Sequence, residues 1–305
     1  MRLRLLGTAA GGGFPQWNCN CVNCRTARTE PMRARPRLQS GAALSADGRH
    51  WFLLNASPDV HRQIESFAVL RSGREPRGTA IEGVLLTNAD LDHALGLFLL
   101  REGGRLIVHA TAAVWQSLTE GLALPDVLGC YATVAWRQPP WEPAPLRDAE
   151  GRPSGITYAA FPAPGKPTRY QRTCNAPLPG ECVGYRFRDD HSGGRLVYLP
   201  GVAALDETVM CNLEECDVLL LDGTFWSEDE MQSLGVGSAP ASRMGHIPVG
   251  GPGGSLARIA ALAATRKIYT HINNTNPMLL EDSGERRTVA DAGVEVGWDG
   301  LEVVL

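Results

Sequence analysis

The chain has 305 residues, a net charge of −4 and 44% hydrophobic residues, a globular composition with room for one large α/β domain or two small ones. Lys and Arg are scattered and fewer than Asp and Glu, 29 against 33, which excludes a basic nucleic-acid-binding surface. No apolar run approaches the ~20 residues that span a bilayer.

The first residues, MRLRLLGTAAGGG, have an apolar part too short for a secretory signal. We therefore expect a cytoplasmic protein in which thiols stay reduced. The eight cysteines are then better explained as metal ligands or core residues than as disulfide partners.

Hydrophobic patterning predicts strands and helices that alternate in the first half of the chain. The first strand covers residues 2–8, and residues 40–56 form a β-hairpin around Asp47–Gly48. The other predicted elements of this half are a helix at 58–69, a strand at 83–87, a helix at 92–101, a strand at 105–110 and a helix at 111–122.

In the second half, strands cluster in hairpins. Residues 130–155 are rich in Pro and Trp and are expected to be irregular. The predicted elements are strands at 155–162, 183–188, 194–199, 216–222 and 267–272, helices at 203–215 and 255–265, and a closing pair of strands near the end. This pattern favours a sandwich of mixed sheets with helices outside. Without repeats or linkers, residues 1–305 are predicted to form a single domain.

Polar side chains follow three apolar strands at the points where they end. VLLTNADLDH supplies Asp90, Asp92 and His93, VLLLDG supplies Asp222, and KIYTH supplies His271. Each has a simpler explanation alone: a helix cap for either Asp of the first group, a turn for Asp222, a hydrogen-bonded core residue for His271. Together they indicate a metal site, because a divalent cation offsets the cost of burying carboxylates.

This arrangement resembles the metallo-β-lactamase superfamily, in which the motif H-x-H-x-D-H ends a strand. The resemblance implies an αββα sandwich of the α/β class, with Asp222 as the bridging Asp and His271 as the last His of the motif set. Asn88 and Asp90 stand where the motif has histidines, so the first metal site is lost. The prediction is one metal, bound by Asp92, His93, Asp222 and His271, with a hydrogen-bond acceptor beside the ligands as the alternative role of Asp222. Such a set with open positions is closer to a non-haem Fe(II) site than to structural zinc.

The loop WNCNCVNC, within residues 17–26, contains Cys19, Cys21 and Cys24. Three thiols at this spacing can wrap one tetrahedral ion, so we predict a structural zinc site; unpartnered loop cysteines are the alternative. In the superfamily's phosphodiesterases with a similar loop, the fourth ligand is a His three residues after the last active-site His. That position is Asn274 here. An amide oxygen is a weak zinc ligand, so a water or another residue stays an alternative. We expect Cys216 in the core and Cys174 near Cys182.

Five sequence motifs taken together indicate a narrower family within this superfamily. GTAAGGGFPQWNCNCVNC, TNADLDHALGL, LLLDGTFW, MGHIPVGG and THINNTNP resemble the pyrroloquinoline quinone (PQQ) biosynthesis protein B family along nearly the whole chain. The resemblance implies a cytosolic enzyme that uses iron and O2 to hydroxylate the tyrosine ring of a cross-linked Glu–Tyr intermediate. That small-molecule substrate derives from a precursor peptide. We expect no nucleic-acid or membrane partner; a homodimer is an open alternative.

Several residues have roles only within that hypothesis. Asp90 accepts a proton or hydrogen-bonds a ligand, with a helix cap as the alternative. His246 transfers a proton or binds substrate, with a helix-entry hydrogen bond as the alternative. Candidate groups for the substrate's carboxylates are the glycine-rich loop 250–254 and four cations, Lys166, Arg169, Arg172 and Arg243. The competing functions are a zinc-dependent hydrolase and a carrier or export factor for PQQ or its precursor.

Overall fold

The computed structural model describes residues 1–71, 76–170, 179–264 and 266–305. Within them the strands form two sheets of seven. The first sheet has the order β14-β1-β2-β3-β4-β5-β6. Its strands are β1 (Arg2–Gly7), β2 (Gly41–Ser45), β3 (Trp51–Leu54), β4 (Ile81–Leu85), β5 (Arg105–His109), β6 (Thr133–Arg137) and β14 (Glu302–Val304).

The second sheet has the order β13-β12-β11-β10-β9-β8-β7. Its strands are β7 (Ala144–Arg147), β8 (Pro153–Pro162), β9 (Val183–Asp189), β10 (Arg195–Leu199), β11 (Val218–Asp222), β12 (Arg266–Thr270) and β13 (Glu295–Val296). Both sheets are mixed: β1–β2 and β2–β3 pair antiparallel and β3–β6 run parallel, whereas β7–β10 pair antiparallel and β10–β13 run parallel.

Helices cover the outer faces of both sheets. They are α1 (Val22–Thr29), α2 (Val60–Ser66), α3 (Leu91–Ala94), α4 (Ala112–Leu122), α5 (Leu124–Gly129), α6 (Glu207–Leu213), α7 (Glu230–Ser233), α8 (Ser255–Ala260) and α9 (Gly284–Asp291). Short 3₁₀ helices occupy Ala68–Leu70, Leu95–Gly103, Ser242–Met244 and Pro277–Leu279. None of these helices is long and apolar enough to cross a membrane.

The layers follow from the alternation of side chains along each strand. In β11, Leu220 packs in the core between the sheets with Phe52 and Tyr185, whereas Leu219 and Leu221 face the outer core with Val209 of α6 and Ile259 of α8. A third apolar core lies between the first sheet and its helices α2, α4 and α5. The αββα sandwich expected from the sequence is therefore confirmed.

Two local predictions were wrong. The region 130–155 contains two strands, β6 and β7, because β6 pairs in parallel with β5 along its whole length and this tertiary pairing overrides the Pro- and Trp-rich composition. The helix predicted at 92–101 is α-helical only at Leu91–Ala94 and continues as a 3₁₀ helix. Gly96 lies against Ser57 and Ala56 there, since a Cβ at this glycine would meet the Ser57 carbonyl oxygen at 2.2 Å.

Candidate metal centre

The predicted ligands meet at one edge of the sandwich because parallel strands bring their carboxyl ends together. Asp222, the last residue of β11, pairs with Thr270 of β12, and His271 follows directly. The loop after β4 carries Asn88 to His93 to the same place. Gly11 closes the site from the β1 side: a Cβ there would lie 3.2 Å from Asp92 Oδ2, so a larger residue would press on this carboxylate.

Asp92, His93 and His271 form the first group of potential ligands, with one ligand atom of each within 4.8 Å of the others. His271 Nε2 lies 3.1 Å from Asp92 Oδ2, and the two imidazole rings are 5.0 Å apart. Burial raises the pKa of the Asp92 carboxyl, but the hydrogen bond from His271 and the charge of its ring hold that pKa below its usual range. The carboxylate is therefore ionised and available to a cation.

Asn88 fixes the tautomer of His93. The Asn88 Oδ1 atom is 2.7 Å from His93 Nδ1 and also accepts the Asp90 backbone N–H at 3.0 Å. Because an amide oxygen only accepts, His93 carries its proton on Nδ1 and has a lone pair on Nε2. That Nε2 atom is buried and has no hydrogen-bond partner among the described residues, and burial lowers the pKa of His93 to about 4. An orphaned, neutral imidazole nitrogen is what a metal ligand requires.

Thr224 does the same for His271. Its hydroxyl lies 2.6 Å from Asp222 Oδ1 and 2.8 Å from His271 Nδ1. The hydroxyl donates to the charged carboxylate and its oxygen accepts the His271 Nδ1–H, so Nε2 faces Asp92. In the protonated ring Nε2–H donates to Asp92, and a cation would bind Nε2 once that proton leaves. Burial opposes the charged form of His271, but the hydrogen bond to Asp92 and the surrounding carboxylates raise its pKa overall. Two imidazole nitrogens and one carboxylate thus point at one volume.

His271 adopts an unusual backbone conformation to do this. Its φ is 56°, in the left-handed region where a residue other than glycine costs of order 1–3 kcal/mol. The Ile272 N–H donates to the Thr8 carbonyl at 2.8 Å, and the Asn273 N–H donates to the Thr224 carbonyl at 3.0 Å. These bonds hold the turn that directs the ring into the site.

Asp222 lies in a second group with His246 and His271, yet its oxygens are already engaged. Oδ2 accepts the Val202 N–H at 2.9 Å and contacts His246 Nδ1 at 2.7 Å, and Oδ1 accepts the Thr224 N–H at 2.9 Å besides the hydroxyl. A carboxylate offers about four lone-pair sites, so all are used. Of the two roles expected for Asp222 from the sequence, this geometry favours an acceptor that orients His246 and Thr224 over a direct metal ligand.

The other predicted residues are placed around a cavity of about 300 Å³ above the ligands. Asp90 occupies the N-cap position of α3 but makes no capping hydrogen bond; its Oδ2 lies 3.6 Å from Lys166 Nζ. His246, Lys166 and Arg169 line the cavity, and the Tyr170 hydroxyl donates to the Ala89 carbonyl. Among the described residues, neither Arg243 nor the loop 250–254 lines this cavity. Arg172 lies outside the described residues.

A larger cavity exists, about 510 Å³, on the outer side of β8–β10. Among the residues described there, none belongs to a cluster of potential metal ligands. The cavity of about 300 Å³ is the candidate active site, because Asp92, His93 and His271 line it.

The cysteine loop forms a separate centre at the start of α1. Cys19, Cys21 and Cys24 lie together, and the Asn274 side-chain amide is 3.2, 3.7 and 3.3 Å from their three sulfurs. Ligands of a tetrahedral zinc with Zn–S bonds of about 2.3 Å lie about 3.7 Å apart. The amide thus lies where a fourth ligand would stand, and turning it over would direct its oxygen toward an ion held by the three sulfurs. A hydrogen bond from Cys24 lowers the pKa of the Cys21 thiol to about 5.

Of the other cysteines, Cys216 is in the core as expected. Cys182 is buried, with Sγ 3.3 Å from the Gly201 carbonyl oxygen. Cys174 lies outside the described residues, and with it the predicted proximity of Cys174 to Cys182. Sequence reasoning missed Thr224, although its place two residues after Asp222 in LLLDGT was a usable signal.

Comparison with known proteins agrees with this geometry. The β-lactamase superfamily domain matches residues 50–272. The coenzyme PQQ synthesis protein B of Cupriavidus necator is 42% identical over 308 residues, covering 99% of both chains, and that of Pseudomonas putida is 42% identical over 306 residues, covering 100% of both.

Among solved structures, Zn²⁺-bound PqqB from Methylobacterium extorquens has a TM-score of 0.91 at 38% identity over 100% of both chains. A diphosphatase of the PhnP family, with a TM-score of 0.69 and 21% identity over 100% of this chain and 97% of its own, shares the fold. The chain therefore belongs to the coenzyme PQQ synthesis protein B family of the β-lactamase superfamily.

Proposed function

We propose that this chain is a mononuclear non-haem iron oxygenase of PQQ biosynthesis. Its substrate would be a small molecule with cross-linked Glu and Tyr parts, and its reaction the hydroxylation of the tyrosine ring by O2. The observation that carries the proposal is the convergence of His93 Nε2, His271 Nε2 and the Asp92 carboxylate. Two histidines and one carboxylate with open positions are the ligand set of non-haem Fe(II) oxygenases.

When bound, ferrous iron supplies the one-electron chemistry that lets O2 react with a phenol ring. The chain's own residues do the rest. Asp90 lines the cavity with a carboxylate free of capping bonds and can accept the phenol proton. His246 holds a proton on Nδ1 toward Asp222, so its Nε2 can accept a second proton from the cavity. Each ring hydroxylation reduces the other oxygen atom to water and needs two electrons from an external reductant.

A zinc-dependent hydrolase is the second candidate. The observation in its favour is the second ligand group, Asp222, His246 and His271, which shares His271 with the first. The saturated Asp222 carboxylate and the loss of histidines at Asn88 and Asp90 argue against it, because a two-metal hydrolase needs both ions to stabilise the attacking and leaving oxygens.

The test is anaerobic loading with Fe(II), metal analysis, and O2 uptake with the cross-linked substrate and ascorbate as reductant. We expect one iron and one zinc per chain, with O2 consumption that depends on substrate. Two zinc ions at the active site with phosphodiester cleavage and no O2 uptake would favour the hydrolase instead.

Lys166 and Arg169 contribute two cationic side chains to the lining of the cavity, which suits the carboxylates of such a substrate. Replacing Lys166 by Gln removes one charge-assisted hydrogen bond, so KM should rise about tenfold, with kcat within about twofold, since tenfold corresponds to about 1.4 kcal/mol. Steady-state kinetics would measure both.

Arg243→Gln is the matched control, because Arg243 is not among the described residues lining the cavity. If Lys166→Gln and Arg243→Gln have equal KM values, Lys166 does not bind the substrate.

A further inference from the structure

A single short segment joins the two candidate metal centres. His271 of the active site and Asn274 of the cysteine site are three residues apart, in the loop that follows β12. Asn273, between them, lines the active-site cavity, whereas the Asn274 amide contacts all three cysteine sulfurs. A displacement of this loop would therefore move ligands of both centres at once.

Asn23 connects this loop to α1, the helix that contains Cys24, by two hydrogen bonds; we call this connection the Asn23 clamp. Asn23 lies in α1 between Cys21 and Cys24 and is 5% exposed. Its Nδ2 donates to the Asn274 carbonyl at 3.1 Å and to the Asn276 carbonyl at 2.9 Å, so both amide protons of one side chain are used. Asn276 in turn donates to the Gly223 carbonyl at 3.0 Å, next to Thr224.

The Asn23 clamp matters because His271 holds a left-handed backbone, with φ of 56°. Such a conformation persists only where the surroundings impose it. On the amino side, strand β12 imposes it through its pairing with β11. On the carboxyl side, the Ile272 and Asn273 N–H groups donate to the Thr8 and Thr224 carbonyls. Beyond them, the loop is held by Asn23 and by the contacts of Asn274 with the cysteines.

We infer that Asn23 is a positioning residue that couples the two metal centres: by fixing the carbonyls of Asn274 and Asn276, it keeps His271 Nε2 aimed at the active-site metal. The inference rests on the proposed assignment of both centres. Because coupling between two binding sites is reciprocal, a metal held by the cysteines raises the affinity of the active site for a divalent transition metal, and the reverse holds equally.

The test uses full-length protein with one zinc in the cysteine site, titrated with Co(II) alone as a spectroscopic probe of the active site. Asn23→Ala should weaken Co(II) binding about tenfold, within the range for residues that orient a ligand, while one zinc per chain is retained. Asn20→Ala, in the same loop and exposed, is the matched control and should bind Co(II) as the unaltered chain does. Backbone amides of residues 272–276 should also exchange with deuterium faster in Asn23→Ala.

Asn23→Ser, which keeps a donor and little bulk, replaces the alanine variant if the latter does not fold. Unchanged Co(II) affinity and unchanged exchange would overturn the coupling while leaving the iron site intact. A different result would contradict the proposed function: Co(II) binding by His93→Ala that is as tight as that of the unaltered chain.

Discussion

Replacing His93 by alanine is expected to abolish iron binding at the active site while one zinc per chain stays with the cysteines. His93 supplies an otherwise unpartnered Nε2, so its loss removes one of three ligands, as does His271→Ala. The affinity for Fe(II) should fall by more than about 100-fold, beyond the 10–100-fold typical of residues that only orient a ligand, and O2 uptake should stop. Equilibrium dialysis under anaerobic conditions with metal analysis measures the affinity.

His191→Ala is the matched control, since His191 is exposed in the turn between β9 and β10. It should bind iron normally. Iron retained by both His93→Ala and His271→Ala would show that the metal is held elsewhere.

Replacing Cys24 by serine is expected to release the structural zinc and lower the melting temperature by about 5 °C or more. Serine nearly preserves the volume at this fully buried position, so the effect reports the lost thiolate rather than a cavity. Zinc bound to a folded site contributes its binding free energy to stability, because the unfolded chain lacks the site. Calorimetric melting with and without added zinc is the measurement.

Cys211→Ser provides the comparison, because Cys211 is an exposed free cysteine outside the cluster. If Cys24→Ser keeps its zinc, or melts like Cys211→Ser, the cysteine loop is no structural metal site.

Where the pattern is local, the sequence predicted which side chains lie close together. Asp92, His93, Asp222 and His271 each end or follow a strongly apolar strand, and parallel strands bring such ends to one edge. The same applies to Cys19, Cys21 and Cys24, whose spacing alone brings three thiols together. The sandwich followed from the alternation of predicted elements.

The rest depends on contacts that only the folded chain makes. Asp222 was expected either to bind metal or to accept hydrogen bonds beside it. Its four hydrogen-bond partners come from residues 202, 224 and 246, and no spacing in the sequence reveals that convergence. The sequence did not rank Lys166 above the other three cations proposed to bind substrate carboxylates. The structure distinguishes it, because the loop after β8 brings it close to Asp90. The left-handed turn at His271 is equally hidden, because it is imposed by bonds to Thr8 and Thr224.

One measurement tests the central claim most directly: anomalous scattering at the iron and zinc edges from crystals loaded anaerobically with Fe(II). The account predicts a single iron peak among Asp92, His93 and His271 and a single zinc peak among the cysteines and Asn274. It would be contradicted by an active site without an iron peak, or by a second metal bound directly to Asp222 and His246.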